Sequence, residues 1–463
     1  MSKKFFNSRI FFVIIAVLQS LTLTAAEAEI SQKPVVMAFQ VERLGGFLAE
    51  PGNFPIEALR RFGRAVNKDW APETTSFQAA SILDISTLAT PDFLKPIKTD
   101  LLTTDQKNSA NKLLEIHSKD FNSLLADCHP ASEAITIKTV CESKSMKEAL
   151  QKAITNPATG KRIESEQLYR IENQIMPILE SSDYLVGAMI ISAHGLFARF
   201  NVVSHEGKLD NSKLDHDLTI GDFINENSLM FFAQTHPIEN PAETFENIKA
   251  VPQSGMVLQM VASAGLDFEK DLLGNSARES ILYVNLEPTG DGGLPDIRFA
   301  APVPEINKLR DNLAKLKQLC VQTGIFAQTI DEKFSLVKLS YFMFPQVAVY
   351  AGLAENFLVI ATAQKNLVNE ISHILDIKSG KKKGAKIFKG LKRFWKIKFT
   401  DFNLQLQRLL QSPIFRDKGI PPVSNLKFLE DISELEILTK SSPEKIEFIL
   451  DMPIAAITPA QPH

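Results

Sequence analysis

Cysteine is scarce: the 463-residue chain has three, Cys128, Cys141 and Cys320. That excludes a disulfide-dense scaffold. In an oxidising compartment Cys128 and Cys141 can close a short loop, while Cys320 falls in the helical apolar stripe of Leu313, Leu316 and Leu319 and reads as a buried, inert thiol. Motifs that carry recognisable chemistry are missing as well. No G-x-S-x-G, H-E-x-x-H, C-x-x-C or G-x-x-x-x-G-K-[ST] occurs, so no nucleophile elbow, zinc-protease helix, redox pair or phosphate loop is legible. S-x-x-K occurs at Ser109, Ser335, Ser379, Ser424 and Ser442, without the companion motifs that would give it meaning. Positive charge is not in excess either. A formal net charge of −3 argues against nucleic acid as the main partner, because neutralising phosphates needs a basic surface.

What is present begins at the N-terminus. Lys3, Lys4 and Arg9 precede an apolar run over residues 10–23 broken only by Gln19, Ser20 and Thr22, and small residues follow at Ala25, Ala26 and Ala28. This is the pattern of a secretory signal peptide, with cleavage after Ala26 or Ala28; the alternative is an uncleaved membrane anchor. No cysteine follows the run, so a lipoprotein is not expected. Removing residues 1–28 takes away the three cations and Glu27 and moves the formal charge from −3 to −5. No other segment approaches the roughly 18 apolar residues of a membrane helix. The expected location is the periplasm or the extracellular space.

A mature chain of this length exceeds what one hydrophobic core usually organises. Residues 35–39 read as a strand and 56–66 as a helix. Helical spacing recurs over 108–125, through Leu113, Leu114, Phe121, Leu124 and Leu125, and over 167–179 up to Pro177. Alternating runs on both sides of Ser192 and Gly195 read as a hairpin over 184–203. A second series follows, with strands at 228–233, 281–286, 297–303, 334–344, 347–350 and 357–361. Its helices are expected at 243–248, 306–323 and 367–375, and a final hairpin at 435–439 and 446–452. The expected fold class is therefore α+β with two related halves, each an antiparallel sheet with helices packed on one face. The expected divisions are a signal peptide at 1–28, halves at 29–218 and 219–455, and a frayed tail at 456–463.

The segment GLDFEKDLLG at 265–274, ahead of the strand at 281–286, and ENFLVIAT at 355–362, ahead of a helix, resemble segments of large exported bacterial proteins grouped as a family of unknown function. The resemblance spans 220–455 at best. It implies an envelope protein of α+β type and supplies no activity or site residue.

Three local features invite chemistry. His194, His205, Asp215, His216 and Asp217 have the ligand types of a zinc or manganese site, but their spacing follows no ligand pattern, and no metal or cofactor is expected. Gly290, Gly292 and Gly293 precede a strand rather than a helix, so they read as a hairpin connection and not a phosphate cradle. Residues 378–398 hold ten Lys or Arg together with Ile387, Phe388, Leu391, Phe394 and Trp395. Placed on a helix, those apolar positions share one face, and Lys386, Lys389, Lys392, Arg393 and Lys396 fill the rest, the form of a helix lying in an anionic membrane surface. The alternative is a stripe packed on a sheet with solvated lysines.

Three functions follow. The first is an exported envelope protein acting by interaction or scaffolding, with envelope proteins or an anionic membrane surface as partners. The second is a carrier or binder of a lipid or other hydrophobic molecule, motivated by 31 Phe residues and alternating strands. An enzyme comes third, because no nucleophile, base and oxyanion donor can be assembled from the sequence.

Overall fold

A computed structural model describes residues 35–42, 76–83, 94–98, 103–128, 135–155, 176–192, 194–205, 209, 217–224, 228–235, 242, 245–246, 249, 254–263, 265–275, 277–322, 325–341, 344–384, 390–413, 415–416, 432–442 and 444–453. The signal segment, the expected helix at 56–66 and the tail from 454 lie outside them. The chain first forms β1 (Val35–Glu42), β2 (Ser76–Leu83), β3 (Leu94–Lys98), α1 (Thr104–Ile116) and α2 (Ser118–Ala126). It continues through β4 (Ile135–Glu142), α3 (Ser143–Thr155), α4 (Met176–Ser181), β5 (Tyr184–Ser192) and β6 (Gly195–Val203). Next come β7 (Met230–Thr235), α5 (Ser254–Ser263), β8 (Glu279–Asn285), β9 (Asp296–Pro302), α6 (Ile306–Gln322) and β10 (Ile325–Asp331). β11 (Leu336–Tyr341), β12 (Phe344–Ala354), β13 (Phe357–Ala361), α7 (Gln364–Lys378), β14 (Leu391–Lys398) and α8 (Phe402–Leu410) follow, and β15 (Glu434–Ser441) and β16 (Lys445–Pro453) close the chain.

The expected fold class is corrected. The strands fall into one large antiparallel sheet rather than two related halves each with its own. Alternation along a strand tells which side chains share a face, but not which strand lies beside it. Two compact units can be distinguished, one within Met1–Asn211 and Asp431–His463, the other within Ser212–Glu430.

In the first unit the strand order is β15-β16-β6-β5-β4-β1-β2-β3. The expected hairpin is β5–β6, and β16 adds to the other side of β6 in continuous register from Lys445↔Val203 to Pro453↔Gly195. Gly187 is required where it stands. Phe200 faces it across the ladder, and a Cβ there would collide with the ring. The helical run at 108–125 is interrupted at His117, which ends α1 and opens α2. Thr103 starts α1 with a capping box: its Oγ1 accepts from Gln106 N at 3.3 Å and its own N–H donates to Gln106 Oε1 at 3.0 Å. The apolar faces of α1 and α2 put Ala110, Leu114, Phe121 and Leu124 against Ala38, Val140, Val186 and Ala188 of the sheet.

In the second unit the order is β10-β11-β12-β13-β9-β8-β7-β14. Buried and half-buried residues alternate along β7, β8 and β9, as a sheet with two different faces requires. α7 covers one face, burying Leu367, Glu370, Ile371 and Ile374 against β12, β13 and β9. It lies close to Gly352 of β12, where an added Cβ would meet Ile371 and Leu367 at 3.1 and 3.2 Å.

Candidate functional site

The face of the second unit's sheet away from α7 can be assembled from the register alone. Residues paired across antiparallel strands point to the same side. Arg298 of β9 reaches Glu370 of α7 and pairs with Tyr283, which pairs with Phe231. Those residues mark the α7 side, so their neighbours one position along mark the other.

On that other side, Trp395, Phe232, Leu282, Phe299 and Ile360 stand in one row across β14, β7, β8, β9 and β13. Ile397, Met230, Val284 and Ile297 form a second row beside it. Every side chain in both rows is apolar and half-buried. The first row spans about 19 Å at ~4.8 Å per strand spacing. On the opposite flank of the first row stands a polar row, Arg393, Gln234 and Ser280.

Arg393 is the unusual member. It is 7% exposed, and its guanidinium lies over the Trp395 ring, 4.6 Å from the centroid. Among the described residues its Nε has no acceptor, and burial pulls its pKa down to about 10. Removing a guanidinium from water costs on the order of several kcal/mol unless a counter-charge repays it.

The α7 side holds a different arrangement, a buried ionic network that clamps helix to sheet. Arg298 donates to Glu370 Oε2 at 3.0 Å and to Ser228 Oγ at 2.8 Å, and its Nε lies 3.5 Å from Asp296 Oδ1. Asn285 donates to Asp296 Oδ2 at 2.8 Å and accepts from Leu229 N at 2.6 Å. Glu370 is 1% exposed. Burial pushes its carboxyl up to about 7, although Arg298 and Tyr283 pull the other way. A comparable clamp in the first unit joins Arg199 of β6 to Asp451 of β16. The guanidinium engages both carboxylate oxygens, Oδ2 at 3.1 Å, and also donates to Asp127 O at 3.2 Å.

The residues singled out by sequence are distributed as follows. Leu391, Lys392, Arg393, Trp395 and Lys396, for which a membrane-surface helix and a stripe packed on a sheet are both open by sequence, lie in strand β14, entered through Gly390 at φ 78°. Lys386, Phe388 and Lys389 lie outside the described residues. In the strand, Phe394 packs edge-on against Phe231 with ring centroids 4.9 Å apart, and Lys392 pairs with Asp217 at 2.8 Å, both on the α7 side.

Cys128 and Cys141, which by sequence could close a short loop, are free buried thiols. Cys128 packs with Ile190 and Phe197, and Ile190 pairs with Thr136, five residues along β4 from Cys141. That is roughly 17 Å of strand, whereas a bridge needs Cα atoms within about 7 Å. Burial raises the two thiols to about 11 and about 12.

His194 sits at the tip of the β5–β6 hairpin and His205 beyond its far end, while Asp215 and His216 are outside the described residues. Among the described residues no group of three His, Cys, Asp or Glu could hold a metal ion. Gly290, Gly292 and Gly293 form the tight connection from β8 to β9, with φ of 70° and 84° at Gly292 and Gly293. The GLDFEKDLLG segment makes a single wide helical turn capped by Asp267, whose Oδ1 accepts from Lys270 N at 3.0 Å. The ENFLVIAT segment is the tight turn at Glu355 and Asn356 followed by β13.

Sequence reasoning missed the polar row and the two apolar rows, because they exist only across strands. The signal available was the alternation within each strand. No protein-family model matches the chain, and no curated protein or solved structure is significantly similar to it.

Proposed function

We propose that the protein is an exported binder of a hydrophobic molecule, held on the sheet face formed by β13, β9, β8, β7 and β14. The observation that carries this reading is the pair of apolar rows led by Trp395 and Ile397, nine side chains on one face that are half-buried and unbroken by any polar residue. Apolar faces of this extent are characteristic of ligand or partner surfaces. The basic-then-apolar N-terminus supports export. No described helix is long and apolar enough to cross a membrane.

The first test uses native mass spectrometry of the protein purified gently from its own envelope, together with titration by a neutral solvatochromic dye. A mass excess that extracts into organic solvent, and dye binding lost in Leu282→Asp, are the expected results. A bare protein that leaves the dye in water would sink the reading.

A second reading, interaction with another protein, has its own observation. β10 is the outer strand of its unit and carries Phe326, 62% exposed, and Ile330, 37% exposed, with no Lys, Arg or Pro to blunt the edge. A photo-crosslinker at position 326 should then trap a defined partner in intact cells, while one at the exposed Ile116 traps none. Equal crosslinking at both positions would remove this reading.

A further inference from the structure

Three arginines are buried among the described residues: Arg199 at 8%, Arg298 at 8% and Arg393 at 7% exposure. The first has the Asp451 carboxylate, and the second has Glu370 and Asp296. The Arg393 guanidinium alone has no hydrogen bond and no ion pair among the described residues, only the face of Trp395 at 4.6 Å. The Asp217 carboxylate, which lies at the start of the strand, is engaged by Gly390 N and Lys392 on the other face. Nothing but burial shifts Arg393, and it stays cationic at neutral pH. A buried, uncompensated guanidinium beside an apolar face calls for an anion attached to an apolar body.

Resting on the reading of that face as a ligand surface, we propose that Arg393 binds the carboxylate of a long-chain fatty acid whose chain lies along the row from Trp395 to Ile360. The placement fits. Arg393 and Trp395 are two residues apart on one face, about 7 Å. The row runs across five strands, the length class of an extended long acyl chain, and its one polar side-chain atom is Trp395 Nε1, at the Arg393 end. One guanidinium neutralises one negative charge, and its planar fork presents paired N–H groups to the two oxygens of a carboxylate. Gln234 and Ser280, next in the polar row, flank Phe232 and Leu282 and border one long side of the apolar row.

The test uses the full mature chain carrying Trp70→Phe, so that Trp395, the other of its two tryptophans, reports alone. Brominated palmitate should quench Trp395 saturably, and the brominated alcohol of equal length should bind about ten-fold more weakly or worse, the loss expected for a charged hydrogen bond. Arg393→Gln should weaken the acid by about the same factor and leave the alcohol unchanged, whereas Arg393→Lys should retain a preference for the acid. Palmitate should raise the Tm of the parent and not that of Arg393→Gln.

If acid and alcohol bind alike and Arg393→Gln changes neither, the carboxylate assignment falls and the apolar-face reading stands. If neither ligand quenches Trp395, both fall. An alkyl phosphate that displaces the acid at lower concentration than the acid itself overturns the choice of carboxylate. Should Arg393→Gln fail to fold, the ratio of acid to alcohol affinity in the parent still decides.

Discussion

Glu370→Gln should change how the stability of the protein responds to pH. Glu370 is 1% exposed, and its pKa is raised from 4.5 to about 7, chiefly by burial. Between those values the unfolded chain releases the proton while the folded chain keeps it. The folded state therefore binds more protons, and stability falls as pH rises through this window. Above about 7 the carboxylate is ionised in both states and the full penalty is present. A shift of this size corresponds to on the order of 3 kcal/mol. Gln keeps an acceptor for Arg298 and cannot ionise, so its stability carries no such decline. The difference between variant and parent should move by that amount in favour of the variant from pH 4.5 to pH 8. In thermal unfolding that is roughly 6–12 °C for a unit of this size. The assay is paired thermal melts of the two proteins at half-unit pH intervals, read as a difference so that other titrating groups cancel. A difference that stays flat across the window would refute the assignment of the buried proton to Glu370.

Two further outcomes follow from the geometry. Arg199→Ala removes both bonds to Asp451 and the bond to Asp127 O, and should cost about 3 kcal/mol in urea unfolding; Asp451→Asn, which keeps an acceptor, should cost less, and equal losses would contradict the ion-pair account. Cys128 and Cys141, both buried with thiols raised to about 11 and about 12, should resist iodoacetamide at pH 8 in the native protein and react after denaturation. A linked Cys128–Cys141 peptide in a non-reducing digest would contradict the strand register.

Local features were the legible part. The β5–β6 and β15–β16 hairpins and helix α7 follow from alternation, turn residues and helical spacing near each other in the chain. Residues 391–398 leave two readings open because Leu391, Phe394 and Trp395 satisfy a helical period as readily as they populate two faces of a strand. The deciding facts are the ladder with β7 and the edge contact of Phe394 with Phe231. β10 passed unnoticed because IFAQTID alternates too weakly to stand out. The candidate site was illegible for a stricter reason. Arg393, Gln234 and Ser280 lie far apart in sequence, and they become one row only through pairings that no single strand specifies. That Arg393 has no carboxylate partner among the described residues is a property of the assembled neighbourhood, and a cluster of lysines around it gives no hint of it.

The β15–β16 hairpin adds to the strands of the first unit, so that unit contains a pairing whose halves are synthesised far apart. Arg199 and Asp451 meet across a separation of 252 residues. A chain emerging from a ribosome N-terminus first therefore presents β6 with one edge unpaired until β16 arrives. During that interval the strand edge is exposed to any other extended chain nearby. Loss of β16 would make the interval permanent, which identifies that strand, rather than any core residue, as the place where its removal turns a folding delay into an aggregation hazard.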